Sequence, residues 1–519
     1  MTTIGEALEI AVQRCAAGRI QEAEQICRQI LAVHSDFADA WHLLGVVALQ
    51  TDRYEAAETY IAKAINLDST KSSFYCNLGN VLKAQKRFDE AIGCFGRAIE
   101  LEPSDPELHY NLGNTLRADE RLEEAVACYR RALEIDPTYA LAHDNLGSTL
   151  QHLGRLDEAI ARYRCALEHK PDESRTHSNL GNALQRLRRF DEAAACYARA
   201  LELDPRQPYA HFSSAALKLL TGDFSQGWAE YEWRWKLSEL RERQFSEPQW
   251  NGEELGQRHI FLHAEQAFGD TIQFIRYAAL VKERNPRATL TVELPRPLTK
   301  LLAKCPGIDQ LVAEGDELPP FDIHLPLASL PGIFNTTLTT IPNRIPYLSA
   351  DRVLRDEWRV KLGSFNGLRI GINWRGRALT RDRDLPVRFF ADLASLPGVQ
   401  LISLQKQSAH DELDDAKQRL PIVSLGPDFD RHHGAFMDTA AVMMNLDLVI
   451  SSDTAIAHLA GALGVPVWLA LPYVPEWRWL LDRSDSPWYP TMRLFRQKKV
   501  GDWEGVFEEV REGLRELVG

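Results

Sequence analysis

The stretch SSFYCNLGNVLKAQKRFDEAIGCFGRAIELEP (72–103) decides the fold of the first half of the chain. Its spacing predicts two helices, roughly Ser73–Gln85 and Phe88–Glu100, with apolar and small residues recurring at helical intervals. Pro103 closes the pair because proline cannot continue a helix. Outward from Gly79, the same pattern repeats. Gly45, Gly79, Gly113, Gly147 and Gly181 are each 34 residues after the last. Ala57, Ala91, Ala125, Ala159 and Ala193 follow at 12 residues, and Ala64, Ala98, Ala132, Ala166 and Ala200 at 19. Pro137, Pro171 and Pro205 end later units as Pro103 does. A period held this long means one helical hairpin, repeated and stacked into a solenoid.

A period of 34 with small residues where two helices touch resembles the tetratricopeptide repeat (TPR). The joint Arg87-x-Asp89-Glu90-Ala91 sets acids in the first turn of the second helix, where the dipole favours them. Phe95, Tyr129, Tyr163 and Tyr197 recur at one position and are expected to fill the gap between units. A weaker unit precedes, keeping Ala23 and Ile30, and another comes after at 208–241 with Gly227 and Trp228. About seven units then occupy residues 1–241. Asn77, Asn111, Asn145 and Asn179 stand two residues before the glycine, and Asn80, Asn114 and Asn182 one after it, with Ser148 in the odd unit. Positions three apart share a helix face. Stacking therefore predicts a ladder of amides able to clamp a peptide backbone, or else to bond neighbouring repeats. In DFSQGWAEYEWRW (223–235), Trp228, Tyr231, Trp233 and Trp235 are expected to glue the last repeat to the next domain, with sugar stacking as the alternative.

Bulk properties narrow the function. Net charge is −13, which argues against a nucleic-acid partner held by a basic field. No apolar run approaches the roughly 20 residues that span a bilayer. The start, MTTIGEALEIAVQRC, carries no secretory pattern, so a cytoplasmic location is expected. Eight cysteines, seven of them before residue 200, form no CxxC pair and suit small buried positions in a reducing compartment.

After residue 250 the pattern changes to short β-branched runs alternating with helical stretches, which predicts parallel α/β structure. Strands are expected at 259–264, 288–295, 309–314 and 322–327, with helices at 270–284 and 297–304. A second set has strands at 368–374, 400–405, 422–426, 446–451 and 465–471, with helices at 387–396, 438–445 and 454–463. The pattern predicts two Rossmann-like domains, at 250–345 and 346–519, facing across a cleft. A last helix near 503–517 is expected to cross back to the first. Ligands of such sheets bind beyond the carboxyl ends of the strands.

The sharpest local signal is VISSDTAIAHLAGALGVPVW (449–468): a strand, a turn, then a helix starting near Thr454, with Asp453 or Ser452 available as its cap. Its first-turn N–H groups suit a diphosphate. The longer stretch FMDTAAVMMNLDLVISSDTAIAHLAGALGVPV (436–467) resembles the donor-binding region of the heptosyltransferase-like glycosyltransferases, on Asp438, Asp453, Thr454, Ala455, His458, Gly464 and Pro466. HAEQAFGDTIQF (263–274) matches that family's first loop through Gly269 and Asp270. A TPR solenoid joined to a GT-B type transferase is also similar in layout to O-GlcNAc transferase. Two departures are Ala455, where the family often has glycine, and a first loop poorer in glycine.

The resemblance implies an inverting, metal-independent transfer of a sugar from a nucleotide diphosphate to an acceptor hydroxyl. The acceptor would be a protein or peptide held by the repeats, or a glycan. Asp270 would be the base, with His263 and Glu265 on the same loop as acceptor-side candidates. The donor would meet Asn373, Gln405, Lys406, Asp438, Asp453, Thr454, Ala455 and His458. Arginines of WRGRALTRDRDLP (374–386), notably Arg377, Arg381 and Arg383, can grip phosphate with paired bonds. No cofactor beyond the nucleotide-sugar substrate is expected. Asp382–Arg383–Asp384, Asp428–Phe429–Asp430 and His432–His433 invite a metal reading but sit in the wrong half or lack a third ligand. The competing reading is a TPR scaffold with an inactive nucleotide-binding domain. Exposed repeat ends also favour self-association.

Overall fold

The computed structural model describes residues 3–237, 243–376, 383–406 and 422–518. They form two compact units. One runs to Leu184 and adds Asp191–Pro205; the other holds Gln185–Phe190 and the chain from Arg206 onward.

The first unit is all helical. Its hairpins are α1 (Ile4–Ala16) with α2 (Ile20–Val33), α3 (Ala38–Gln50) with α4 (Tyr54–Leu67), and α5 (Ser72–Ala84) with α6 (Phe88–Leu101). Then come α7 (Pro106–Ala118) with α8 (Leu122–Ile135), α9 (Ala140–His152) with α10 (Leu156–His169), and α11 (Ser174–Arg186) with α12 (Phe190–Leu203). The hairpin α13 (Pro208–Leu220) with α14 (Phe224–Tyr231) groups with the second unit.

Four of the five repeated glycines are explained by a ring, and Gly45 by the side chain of Ile61. A β-carbon on Gly79 would lie 2.8 Å from the Phe95 ring, one on Gly113 2.7 Å from Tyr129, and one on Gly147 2.8 Å from Tyr163. The aromatic residue thus packs on the glycine of its own hairpin, and Phe95 shares its cluster with Leu112 of the next. Phe95, Tyr129 and Tyr163 are almost wholly buried there. The alanines at 12 and 19 residues beyond are buried as well, which sets the closeness of the helices. Arg87, Arg121 and Arg155 open the second helices without capping them, and each forks onto the glutamate three residues on. These exposed pairs fix side chains more than they stabilise the fold.

The second unit carries two fully parallel sheets. The smaller has β1 (His259–His263), β2 (Thr289–Leu294), β3 (Gln310–Ala313) and β4 (Ile323–Pro326) in the order β3-β2-β1-β4. The larger has β5 (Leu368–Asn373), β6 (Val399–Ser403), β7 (Ile422–Val423), β8 (Leu448–Ser451), β9 (Val467–Leu471) and β10 (Met492–Arg496) in the order β10-β9-β8-β5-β6-β7. The expected helix at 270–284 is broken into α15 (Phe268–Phe274) and α16 (Tyr277–Arg284). Strand β10 and the helix Arg352–Lys361 were not legible in the pattern.

One face of the smaller sheet packs Ile260, Leu262, Leu290, Val292, Ile323 and Leu325 into the main core. Its other face, on alternate residues, bears His259, Phe261, His263, Thr291, Glu293 and His324. Phe245 lies over it against Phe261, His263 and His324. The larger sheet is covered on both faces, as parallel sheets require. The last helix, Trp503–Val518, does not cross back. Phe507 meets Phe389 and Phe390, and Trp503, Val506, Val510 and Leu514 pack with Ile370 and Ile372 of β5. Its apolar stripe matches the larger sheet it comes after, so no crossing is needed. The tryptophan-rich end of the helical hairpins is indeed glue. Trp228 Nε1 donates to Thr336 O at 2.8 Å, and Trp228 and Tyr231 meet Trp477 edge-on.

Glycine positions give a paired test. Gly147→Ala drives a methyl into the buried Tyr163 ring. Its overpacking cost of about 1–3 kcal/mol exceeds the ~1 kcal/mol gained in helix propensity. Gly96→Ala meets nothing within 4 Å and should stabilise by about 0.5–1 kcal/mol. Urea midpoints of the two variants should therefore move in opposite directions.

Candidate functional site

The amide ladder of the helical unit is real but largely spent inside the stack. Asn77 Nδ2 meets His42 Nε2 at 2.8 Å, Asn111 Nδ2 donates to Cys76 Sγ at 3.7 Å, Asn145 Nδ2 to Tyr110 Oη at 3.0 Å, and Asn179 Nδ2 to Asp144 Oδ1 at 3.3 Å. Every partner lies 35 residues earlier. Asn145 also donates to Asn114 Oδ1 at 2.7 Å, which in turn accepts from Tyr129 Oη, while Asn182 Oδ1 accepts from Tyr197 Oη. Asn80 accepts from Lys83 at 3.4 Å. These contacts staple each repeat to the one before it. A separate hollow of about 410 Å³ lies among α4, α5 and α6, lined by Ala62, Tyr75, Leu78 and Cys94 and rimmed by Glu58, Arg87, Glu90 and Arg97.

In the second unit the chemistry gathers at the carboxyl edge of the larger sheet. Strand β5 ends in Asn373, β6 leads to Gln405, and β8 ends at Ser451. Asn373 is buried; its Oδ1 accepts from Thr454 Oγ1 at 2.9 Å, and its Nδ2 donates to Gln405 Oε1 at 2.9 Å. Thr454 is the N-cap of the helix Ala455–Ala462, yet its hydroxyl serves Asn373, so no side chain caps the helix. The expected caps are otherwise engaged or unused. Asp453 pairs with Arg383 at 3.3 Å, and the buried Ser452 Oγ has no partner among the described residues. Asp453, Thr454 and Ala455 are half-buried, whereas Ile456 and Ala457 are buried and Ala457 N donates to Thr454 O at 3.0 Å. Beyond Gln405 lies a cavity of about 260 Å³ lined by Ser403, Gln405, Lys406, Gly426, Phe429 and Asp430.

Asp270 comes to the same place from the smaller sheet. It sits in the first turn of α15, and a β-carbon on Gly269 before it would lie 3.6 Å from Ala455 Cα and 3.0 Å from His458 Cδ2. Asp270 Oδ2 accepts from Ala267 N at 3.1 Å, and its Oδ1 pairs with Arg478. Arg478 is buried and is held at two further points, by Gln273 Oε1 and Glu476 Oε1. His458 is buried, meets Tyr489 Oη through Nδ1 at 2.9 Å, and burial holds its pKa well below 6.5, so it is neutral.

Several expected ligands are not available. Asp438 is sealed: it accepts from Trp358 Nε1 at 2.7 Å, Asp430 N at 2.9 Å and His433, and so ties the start of its own helix. His263 lies beneath Phe245 with both ring nitrogens buried, its pKa pushed down to about 3, first by burial and then by Arg243. Glu265 is clamped by the fully buried Arg234 at 2.9 Å and 3.1 Å. Neither can meet an acceptor. Lys406 is exposed, 3.5 Å from Asp430. Arg377 and Arg381 lie outside the described residues, as does Asp382. The missed contributors are Glu476 and Arg478. Their signal was available: PEWRW (475–479) comes after β9 at a strand's carboxyl end, where ligands bind.

Residues 15–71, 76–140 and 138–206 match the tetratricopeptide repeat. The chain therefore carries TPR repeats in a helical solenoid, followed by an α/β region with parallel sheets. It is similar to Protein FlbA of Caulobacter vibrioides, 25% identical over 328 residues, which take in 59% of this chain and 55% of FlbA. The chain thus spans about half the length of that curated relative. Similar solved structures include YrrB, described as a TPR protein with an unusual peptide-binding site (23% identity, 36% of this chain, 95% of that one, TM-score 0.31). PilF of Pseudomonas aeruginosa is another (19% identity, 38% of this chain, 90% of that one, TM-score 0.35). No helix among the described residues is long and apolar enough to cross a membrane.

Glu476 sets a pH dependence. Burial raises its carboxyl from 4.5 to about 7, against the pull of the Arg478 guanidinium and with help from Asp453. The folded protein keeps this proton where the unfolded chain has lost it, so Glu476 ionisation costs stability as pH rises from about 4.5 to 7. Neutral buried His263 and His458 act oppositely, costing stability as pH falls below 6.5. The measurable quantity is the difference. Thermal melts of Glu476→Gln should gain on the wild type as pH is raised from 5 to 7, and a constant gap would contradict the assignment.

Proposed function

We propose that the second unit is a glycosyltransferase of GT-B type, with two Rossmann-like halves, that moves a sugar from a nucleotide diphosphate to an acceptor hydroxyl with inversion and without a metal. The observation that carries this reading is the uncapped start of the Ala455–Ala462 helix, lying against the turn that presents Asp270. The start of a helix that no side chain caps suits a diphosphate. The row Gln405–Asn373–Thr454 and the adjoining 260 Å³ cavity offer polar contacts for the rest of the donor. Asp270 is the base that takes the acceptor's proton, and Arg383 lends positive charge near the leaving group. The helical unit selects a protein or peptide acceptor, a role in which TPR repeats commonly serve.

One observation favours a second reading, a scaffold with a silent nucleotide-binding domain: Asp270 is already engaged by Arg478 and by the turn of α15. The experiment is release of nucleoside diphosphate from a panel of nucleotide sugars by the full chain. Turnover should fall about 100-fold or more in Asp270→Ala, the usual worth of a general base. Nucleotide-dependent stabilisation without turnover in either protein would select the scaffold.

A further inference from the structure

The Arg478 guanidinium has a division of labour among its partners. Glu476 is tied to it twice, through Oε1 to the guanidinium and through Oε2 to the Arg478 backbone N–H at 3.0 Å, so it cannot leave without uncapping the turn 477–479. Gln273 is wholly buried and holds Nε. Asp270 is different. Its Oδ2 caps α15, and its Oδ1 alone reaches Nη2. Of the three acceptors it is also the most exposed, at 19% of its side chain. One residue earlier, Gly269 touches the uncapped helix at Ala455. A guanidinium arm held by an exchangeable carboxylate therefore adjoins the uncapped start of a helix. Phosphate oxygens suit the same arm, since guanidinium pairs with carboxylate and phosphate by the same planar geometry.

We propose that Arg478 is an anchor for the diphosphate of a nucleotide donor, and that Asp270 occupies the same guanidinium arm until that diphosphate displaces it. The proposal rests on the glycosyltransferase reading in taking the anion to be a nucleoside diphosphate. Displacement has a chemical result. The Asp270 carboxylate oxygen released from the guanidinium is free to accept a hydrogen bond, and then the proton, from an acceptor hydroxyl. Donor binding therefore arms Asp270. The acceptor oxygen then bonds to the anomeric carbon as its proton passes to Asp270. The bond from that carbon to the diphosphate oxygen breaks, and its electron pair leaves on the diphosphate held by Arg478. The donor must bind first.

Local charge fits the exchange. Asp270, Glu476 and Asp453 face Arg478 and Arg383. A diphosphate is accommodated when Asp270 withdraws from the guanidinium and the buried Glu476 carboxyl stays protonated.

Calorimetric titration of the full chain with UDP, GDP, ADP and inorganic pyrophosphate tests this. For whichever probe binds, Asp270→Asn should bind about 10-fold more tightly, because the competing anion is gone. Arg478→Gln should bind at least 10-fold more weakly. Circular dichroism checks that both variants fold; should Arg478→Gln fail to fold, the Asp270→Asn titration decides alone. A wild type that binds a nucleoside diphosphate no differently from a folded Asp270→Asn overturns the exchange and leaves the glycosyltransferase reading standing. Absence of binding by every probe to both wild type and Asp270→Asn overturns the two together.

Discussion

A buried guanidinium must be met by acceptors, and Arg478 draws its partners from separate parts of the second unit. Asp270 and Gln273 come from the helix after β1, and Glu476 from the loop after β9. Removing one partner of such a set is far costlier than the set is worth, because a buried charge is left exposed to a poor medium. The arrangement therefore fixes geometry more than it adds stability. It brings the turn at Asp270 to the start of the Ala455–Ala462 helix. Arg276 reinforces it nearby, donating to Trp488 O at 2.7 Å, Pro342 O at 2.9 Å and Tyr347 Oη at 2.9 Å.

Much of the fold was legible because local patterns report which face of an element is covered. The 34-residue register of glycine and alanine located the helical hairpins, and the β-branched runs located nine of the ten described strands. Thr454 as the opening of a helix at a strand end was legible for the same reason. Pairing between distant elements stayed hidden. Nothing in the spacing of Asp438 says that Trp358 and the Asp430 backbone will consume it. Nothing in HAEQAFGD says that Arg234 will seal Glu265 or that Phe245 will cover His263. The strand β10 was missed because the two arginines of MRLFR read as a surface loop, although its apolar positions are buried.

The two faces of the smaller sheet show how composition tracks environment. Ile260 and Leu262 pack into the main core, while Phe261 and His263 meet the segment that carries Phe245 and its aromatic ring. An extended strap covers less area than a helix, so buried polar groups remain beneath it; both nitrogens of His263 lack partners among the described residues. Parallel strands that read as alternating rather than uniformly apolar are thus a mark of this thinner cover.

The staples of the helical unit have a constant half and a variable half. The donor is always an asparagine amide, whereas the acceptor is an imidazole nitrogen at His42, a sulfur at Cys76, a phenol oxygen at Tyr110 and a carboxylate at Asp144. All four can receive the same N–H, so each junction is chemically tolerant of its neighbour. A chain shortened or lengthened by whole hairpins still offers an acceptor at the new seam. Length in this solenoid is therefore free to drift over generations while the grip between successive hairpins is kept.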